Sequence, residues 1–427
     1  MTTTTADLAP TRGPLRAVWL WERQGWINVA VAAAAMTATL PGRTIGLGLI
    51  TAPLTAELGI GEVLFGTLNF WAILIGSILC LPAGWLIDRF GGRTVLTVVA
   101  LALGGAVMGM SQAWEVWTLF LALTLVRGLG QGALSVVSMA LIGKWFTRGL
   151  GVAMGVFAVL LSIGFIAATL AVGAAVQGHG WRGPWAMLGA CLVLGLAPLG
   201  AWLVRNAPAT PPSDAELIVS PPVTGLTLSA ALCTPSFWAF SLATSLFNLA
   251  FSAVTLFSAN LLSAQGFAGE TNTLVLGLLA AVGLPSNLIA GWLAERWPLG
   301  RLLLIGMLLL AGALAVFPNV TTTTGLILYA LALGISGGII TVIFFAFYGR
   351  AFGRRHLGAV QAAGQIMTVL ASASGPLLLA WCKETTATYD LWFQVGAALA
   401  FVLGLTAWLV RLPTQTTHEI GMRRVET

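Results

Sequence analysis

The sequence predicts an all-α integral membrane protein of twelve transmembrane helices, arranged as two pseudo-symmetric six-helix bundles. Three observations carry this reading. Of the 427 residues, 58% are hydrophobic and only 8% charged, with a mean hydropathy of +0.94. A soluble domain carries about 25% charged residues, so this composition cannot build a water-facing surface. Apolar runs long enough for the ~20 residues that a helical crossing needs recur along the whole chain. An acid–arginine pair that closes the second run of the first half returns about 207 residues later.

The apolar runs, read between charged or Gly/Pro-rich breaks, give spans at 27–54, 63–86, 94–111, 116–141, 150–176 and 183–204, then 237–262, 271–294, 299–317, 323–348, 357–382 and 390–410. The expected organisation is a tail at 1–26, bundles at 27–204 and 233–411, a central loop at 205–232 and a tail at 412–427. The stretch from Asn206 to Thr224, with five prolines, Asp214 and Glu216, reads as the linker between the bundles. Glycine is abundant at 51 residues, which suits close helix approach in lipid. No cleavable leader is expected, because the first 25 residues are polar and carry Arg12, Arg16 and Arg23.

With the N-terminus placed in the cytoplasm, sixteen of the twenty Lys and Arg residues fall on the cytoplasmic side, Arg182 and Lys383 outside, and Arg43 and Arg127 within spans. This positive-inside pattern predicts cytoplasmic termini in a bacterial-type inner membrane. It also explains the net charge of +6 as topogenic, so nucleic acid is not an expected partner. The cysteines (Cys80, Cys191, Cys233, Cys382) show no paired spacing, and His179, His356 and His418 lie in expected loops or tails. No metal, cofactor or disulfide framework is expected. There is no phosphate-loop signature, and no acid, histidine or cysteine cluster at mid-depth, so neither an ATPase nor a membrane-embedded enzyme is the expected class.

The repeat is specific. Gly84-Trp85-Leu86-Ile87-Asp88-Arg89-Phe90-Gly91-Gly92-Arg93 ends the second span, and Gly291-Trp292-Leu293-Ala294-Glu295-Arg296 ends the eighth. The first of these resembles the Gly-x-x-x-Asp-Arg-x-Gly-x-Arg loop of the major facilitator superfamily, and Arg127-x-x-Gly130-x-Gly132 is similar to that superfamily's arginine–glycine motif. Lys144-Trp145-Phe146, His179-Gly180-Trp181-Arg182 and Gly353-Arg354-Arg355-His356 resemble the monocarboxylate and oxalate:formate porter-like branch. The resemblance implies the major facilitator fold, alternating access, a monomer, and a small organic anion as substrate, by symport, antiport or facilitated diffusion. It also implies gating by Asp88, Arg89, Arg93, Arg148, Glu295 and Arg296. An exporter of amphipathic compounds is the alternative, and a non-transporting sensor a further one.

No acid falls at mid-depth, so a boundary acid such as Glu57 or Glu270 is the remaining proton carrier if protons are coupled. Arg43, after Pro41-Gly42, costs at least about 2.5–3.5 kcal/mol at the bilayer centre and must face the interior. A substrate carboxylate is its natural counter-ion, with bonding to carbonyls freed at Pro41, or reach toward Glu57, as the plainer alternatives. Arg127 is read either as a second substrate contact, by resemblance, or as an interhelical donor. Neutral candidates for the substrate are Asn69, Asn248, Ser252, Asn287, Gln361 and Gln365; Asn248/Ser252 and Gln361/Gln365 each share a helix face. Asp88 is expected to pair with Arg148 or with the positive N-terminus of a neighbouring helix.

Overall fold

The computed structural model describes residues 13–146, 149–207, 225–267 and 270–413. Twelve long helices form two bundles. The N-terminal bundle holds α1 (Gly13–Thr37), α2 (Leu64–Phe90), α3 (Gly92–Ser111), α4 (Val116–Trp145), α5 (Leu150–His179) and α6 (Arg182–Leu203). The C-terminal bundle holds α7 (Pro235–Leu256), α8 (Leu274–Arg296), α9 (Leu299–Asn319), α10 (Thr323–Phe352), α11 (Leu357–Thr386) and α12 (Asp390–Leu409). Eleven of these are long and apolar enough to cross a membrane. The linker joins α6 to α7; the face where it attaches is called the linker face below, and the opposite one the distal face. Most of the linker, and Arg148, lie outside the described residues.

The helix ends follow local chemistry. Thr234 and Thr322 cap α7 and α10 through their hydroxyls, which accept from the amides of Phe237 and Gly325. Leu, Val and Phe face lipid or the neighbouring helix, and tryptophans such as Trp114, Trp117, Trp202 and Trp381 stay exposed near span ends, as an interfacial belt requires.

The first span departs from the expected single helix over 27–54. α1 begins at Gly13 and stops at Thr37; a 3-10 turn (Leu40–Gly42), an extended Arg43 and the short helices Thr44–Gly48 and Thr51–Leu58 complete the crossing. The cause is Pro41, which has no amide proton and cannot continue the ladder. The break is packed rather than left open to lipid, because Gly42 lies directly against the α4 backbone at Val126 and Gly130, where a Cβ would collide. α4 answers with its own irregularity: Arg127–Leu134 is π-helical, between the α-helical Val116–Val126 and Ser135–Trp145. Such π segments are rare and favour functional positions.

Candidate functional site

The π segment and the break in the first span bring the two intramembrane arginines together. Arg127 is buried, and protein acceptors occupy its donors. Its Nε and Nη2 donate to Asn69 Oδ1 at 3.0 and 2.6 Å, and its Nη1 to the Gly42 carbonyl at 3.2 Å, Gln131 Oε1 at 3.1 Å and Thr44 Oγ1 at 3.3 Å. Of the two arginines it is therefore Arg127, and not Arg43, that satisfies the carbonyl released at Pro41–Gly42.

Arg43 is only partly buried. Its Nε donates to Thr39 Oγ1 at 2.9 Å and its Nη2 to Ser135 Oγ at 3.1 Å, with Met36 Sδ at 3.4 Å, and its guanidinium lies 5.3 Å from the centre of the Phe165 ring. Nη1 makes no hydrogen bond to a described residue. It does not reach Glu57, and no described carboxylate pairs with it. The result is a partly buried cation beside the broken first span, held by neutral groups and an aromatic face of the N-terminal bundle.

The neutral candidates scatter. Asn69 belongs to the Arg127 cluster. Gln365, on α11, donates to the Gln131 carbonyl at 3.2 Å and so ties the bundles together one turn from Ser135. Gln361 is buried with neither amide atom bonded, and Asn287 Oδ1 is likewise unpartnered. Asn248 donates to Thr244 O within α7, and Ser252 to Ser372 O of α11, so these two serve helix packing in the C-terminal bundle.

Two latches join the bundles at the linker face, related by the same repeat offset. Asp88, ending α2, accepts from the amides of Gly358 and Ala359 at 3.0 Å each, at the first turn of α11, and pairs with Lys144 of α4 at 2.6 Å. The helix N-terminus expected from sequence is present, and Lys144 is the cation on Asp88 among the described residues, which do not include Arg148. Glu295, ending α8, accepts from the Gly151 amide at the first turn of α5 and lies 4.0 Å from Arg350 of α10. Each bundle thus supplies the acid that caps a helix of the other. Arg89 stacks on Trp85 and Phe90, and Arg296 on Trp292. The Arg93 amide donates to Asn206, which leaves these three side chains outside the latches.

Glycines bring the seams into register. Gly84 of α2 abuts Gly358 of α11, and Gly291 of α8 abuts Gly151 and Gly155 of α5; a Cβ at Gly84 or Gly291 would meet the opposing backbone. Between the latches and the arginines, Phe157 of α5 meets Phe345 of α10 edge-on at 5.1 Å. The linker face is closed in this conformer. Gly84→Val is expected to open it by roughly 5- to 150-fold in population, since overpacking a fitted contact costs about 1–3 kcal/mol. Cys80, buried against Val136 of α4 and Ala362 of α11, is the reporter: its maleimide alkylation should accelerate by that factor.

At the distal face, Arg182 donates to Glu57, Ser111 O and Ala113 O at 2.7, 2.6 and 2.8 Å and lies over Trp114, while the Trp181 indole donates to Glu57 at 2.6 Å. Bonds from Arg182 and then Trp181 hold the Glu57 carboxyl below its ordinary range. A depressed carboxylate contributes stability above its unfolded pKa of about 4.3 and loses it as pH falls through the folded value. The melting temperature of the purified protein should therefore hold down to pH ~5 and drop below pH ~4. In Glu57→Gln the acid-side drop should be smaller. Glu57 is thereby a structural clasp; the Glu270 side chain lies outside the described set.

The sequence and fold have known counterparts. The family model described as Major Facilitator Superfamily matches residues 26–376. Monocarboxylate transporter 13 of Rattus norvegicus is 24% identical over 327 residues, covering 76% of this chain and 74% of that one. Among solved structures, the E. coli fucose:proton symporter FucP in the outward conformation superposes with a TM-score of 0.69 at 14% identity, over 90% of this chain and 99% of that one. The human organic anion transporter MFSD10 gives 0.60 at 19% identity, over 93% and 100%. With the repeated latches, the broken first span and the arginine–glycine helix in place, the chain belongs to the Major Facilitator Superfamily and resembles its monocarboxylate transporters.

Proposed function

We propose that this transporter moves a small organic monoanion by alternating access, with Arg43 receiving the substrate carboxylate. The observation that carries this is the state of Arg43: a partly buried guanidinium at the break in the first span, bonded only to neutral groups, with no hydrogen bond from Nη1 to a described residue. A guanidinium fork matches a carboxylate in a way an ammonium does not. Arg127 is spent on Asn69, Gly42 and Gln131, so one cation is available, which favours one carboxylate over two. The similarity to proteins named monocarboxylate transporter and organic anion transporter supports the same class.

In this reading residues 27–204 and 233–411 are the two moving bodies of a monomer. The linker face and both termini lie in the cytoplasm, as the basic residues indicate, so the closed linker face makes this conformer outward-facing. Exchange or facilitated diffusion is favoured over proton symport, because no described acid pairs with Arg43 and Glu57 is committed to Arg182. The test is uptake of radiolabelled monocarboxylates, dicarboxylates and the matching uncharged amides into proteoliposomes. Monocarboxylates alone are expected to move; equal flux of the amides, or no anion flux, removes this reading.

A further inference from the structure

The linker face holds a crevice that the transport cycle above does not use. Its volume is about 380 Å³, and it is lined by Asp88, Arg89, Lys144 and Asn206 of the N-terminal bundle and by Arg354 and Arg355 of the C-terminal one. Its one carboxylate is committed, since Asp88 already receives Lys144 and two backbone amides. Arg89, Arg354 and Arg355 form no ion pair among the described residues. Nη1 of Arg354 is buried without a hydrogen-bond partner, an arrangement that is costly unless an acceptor reaches it. The crevice therefore carries a surplus of positive charge divided between the two bundles.

Its lip is flanked by aromatic residues. Trp85 and Phe90 are half exposed there, and the Arg89 guanidinium lies 5.1 and 5.6 Å from their ring centres. Aromatic rings beside arginine mark headgroup depth. An ion with several oxygens, met by guanidinium groups from two directions, is the ligand such a crevice fits. We propose that it binds a phosphate-bearing anion, the headgroup phosphate of an anionic phospholipid or a free phosphate ion, which bridges the bundles. Arg354 and Arg355 leave Arg89 and Lys144 when the bundles part at this face, so the anion binds the linker-closed conformer and shifts the population toward it. This is a regulatory site separate from Arg43, and it stands whatever the substrate is.

The experiment follows Cys80 alkylation by maleimide in full-length protein with Cys191, Cys233 and Cys382 replaced by serine. Three conditions are compared in nanodiscs: phosphatidylcholine alone, phosphatidylcholine with phosphatidylglycerol, and phosphatidylcholine with inorganic phosphate in solution. Slowing by phosphatidylglycerol of about fivefold or more supports the lipid as the source. Equal slowing by inorganic phosphate assigns the site to the soluble ion. In Arg354→Gln/Arg355→Gln either slowing should vanish, while the rate in phosphatidylcholine alone stays near that of the parent. Arg355→Gln, at an exposed position, provides the same comparison if the double variant does not fold. No slowing under either condition, or slowing that persists in folded variants, overturns the proposal.

Discussion

Arg43→Gln is expected to lower kcat/KM for monocarboxylate uptake by roughly 30-fold to several thousandfold, with the protein still inserted and folded. The range is the about 2–5 kcal/mol lost when one partner of a buried charge pair is truncated, at tenfold per 1.4 kcal/mol. Glutamine keeps a donor for Thr39 or Ser135, so the local packing survives while the charge is removed. Arg43→Lys separates charge from shape: it preserves the charge but loses the fork, and should recover about a tenth to a third of the wild-type rate. Ser135→Ala removes one anchor of the guanidinium and should raise KM by at most about 10- to 150-fold, the about 1.5–3 kcal/mol of a single hydrogen bond to a charged group. Proteoliposome flux with initial-rate kinetics measures all three. An Arg43→Gln protein with unchanged KM and kcat would show that the substrate is held elsewhere.

The second large effect is at the latches. Asp88→Ala removes two charge-assisted amide contacts and leaves Lys144 without its partner. The Lys144 pair lies within the N-terminal bundle and persists when the bundles part, so the shift comes from the amide contacts across the seam; hydrogen bonds to a charged group are worth about 1.5–3 kcal/mol, or roughly a 10- to 150-fold shift away from the linker-closed conformer. Glu295→Ala removes a single amide contact across the other seam from a wetter acid, so about 1 kcal/mol, or roughly fivefold, is expected. Cys80 alkylation in single-cysteine backgrounds reads both. Equal acceleration by the two variants would contradict the ranking, and no acceleration by either would mean that glycine and aromatic packing alone hold this face shut.

Much of this was legible in the sequence. Lipid removes the alternatives to a helix, so composition and run length sufficed for twelve spans; the repeat at the ends of α2 and α8 announced both acids that became latches. The weakness of the first span was readable at Pro41, but its extent was not, because the break is completed by Arg127 and Gly130 more than 80 residues away. The helix N-terminus expected to meet Asp88 is present, whereas Lys144, in the last turn of α4, was not foreseen as its ion-pair partner; Arg148 lies outside the described residues. The roles of the two arginines were likewise beyond sequence. Both sit among glycines, and what divides them is Asn69, which reaches Arg127 from α2 and accepts from its Nε and Nη2. Gln361 and Gln365 share a face as spacing required, yet one bridges to α4 and the other finds no partner.

The inequality of the latches fixes an order of events. Asp88 and Lys144 sit 2.6 Å apart at 10% and 18% exposure, whereas Glu295 and Arg350 are 4.0 Å apart at 25% and 34%. Both pairs lie within one bundle and orient the acids rather than bridge the seams; the wetter Glu295 receives one amide across its seam and Asp88 two, so the α5–α8 seam is expected to yield first while α2 still holds α11. In the proposed cycle α2 and α11 would then serve as the hinge of a door and α5 and α8 as its free edge, and a solute leaving Arg43 would pass out beside Phe157 through a one-sided slot before a symmetric opening forms.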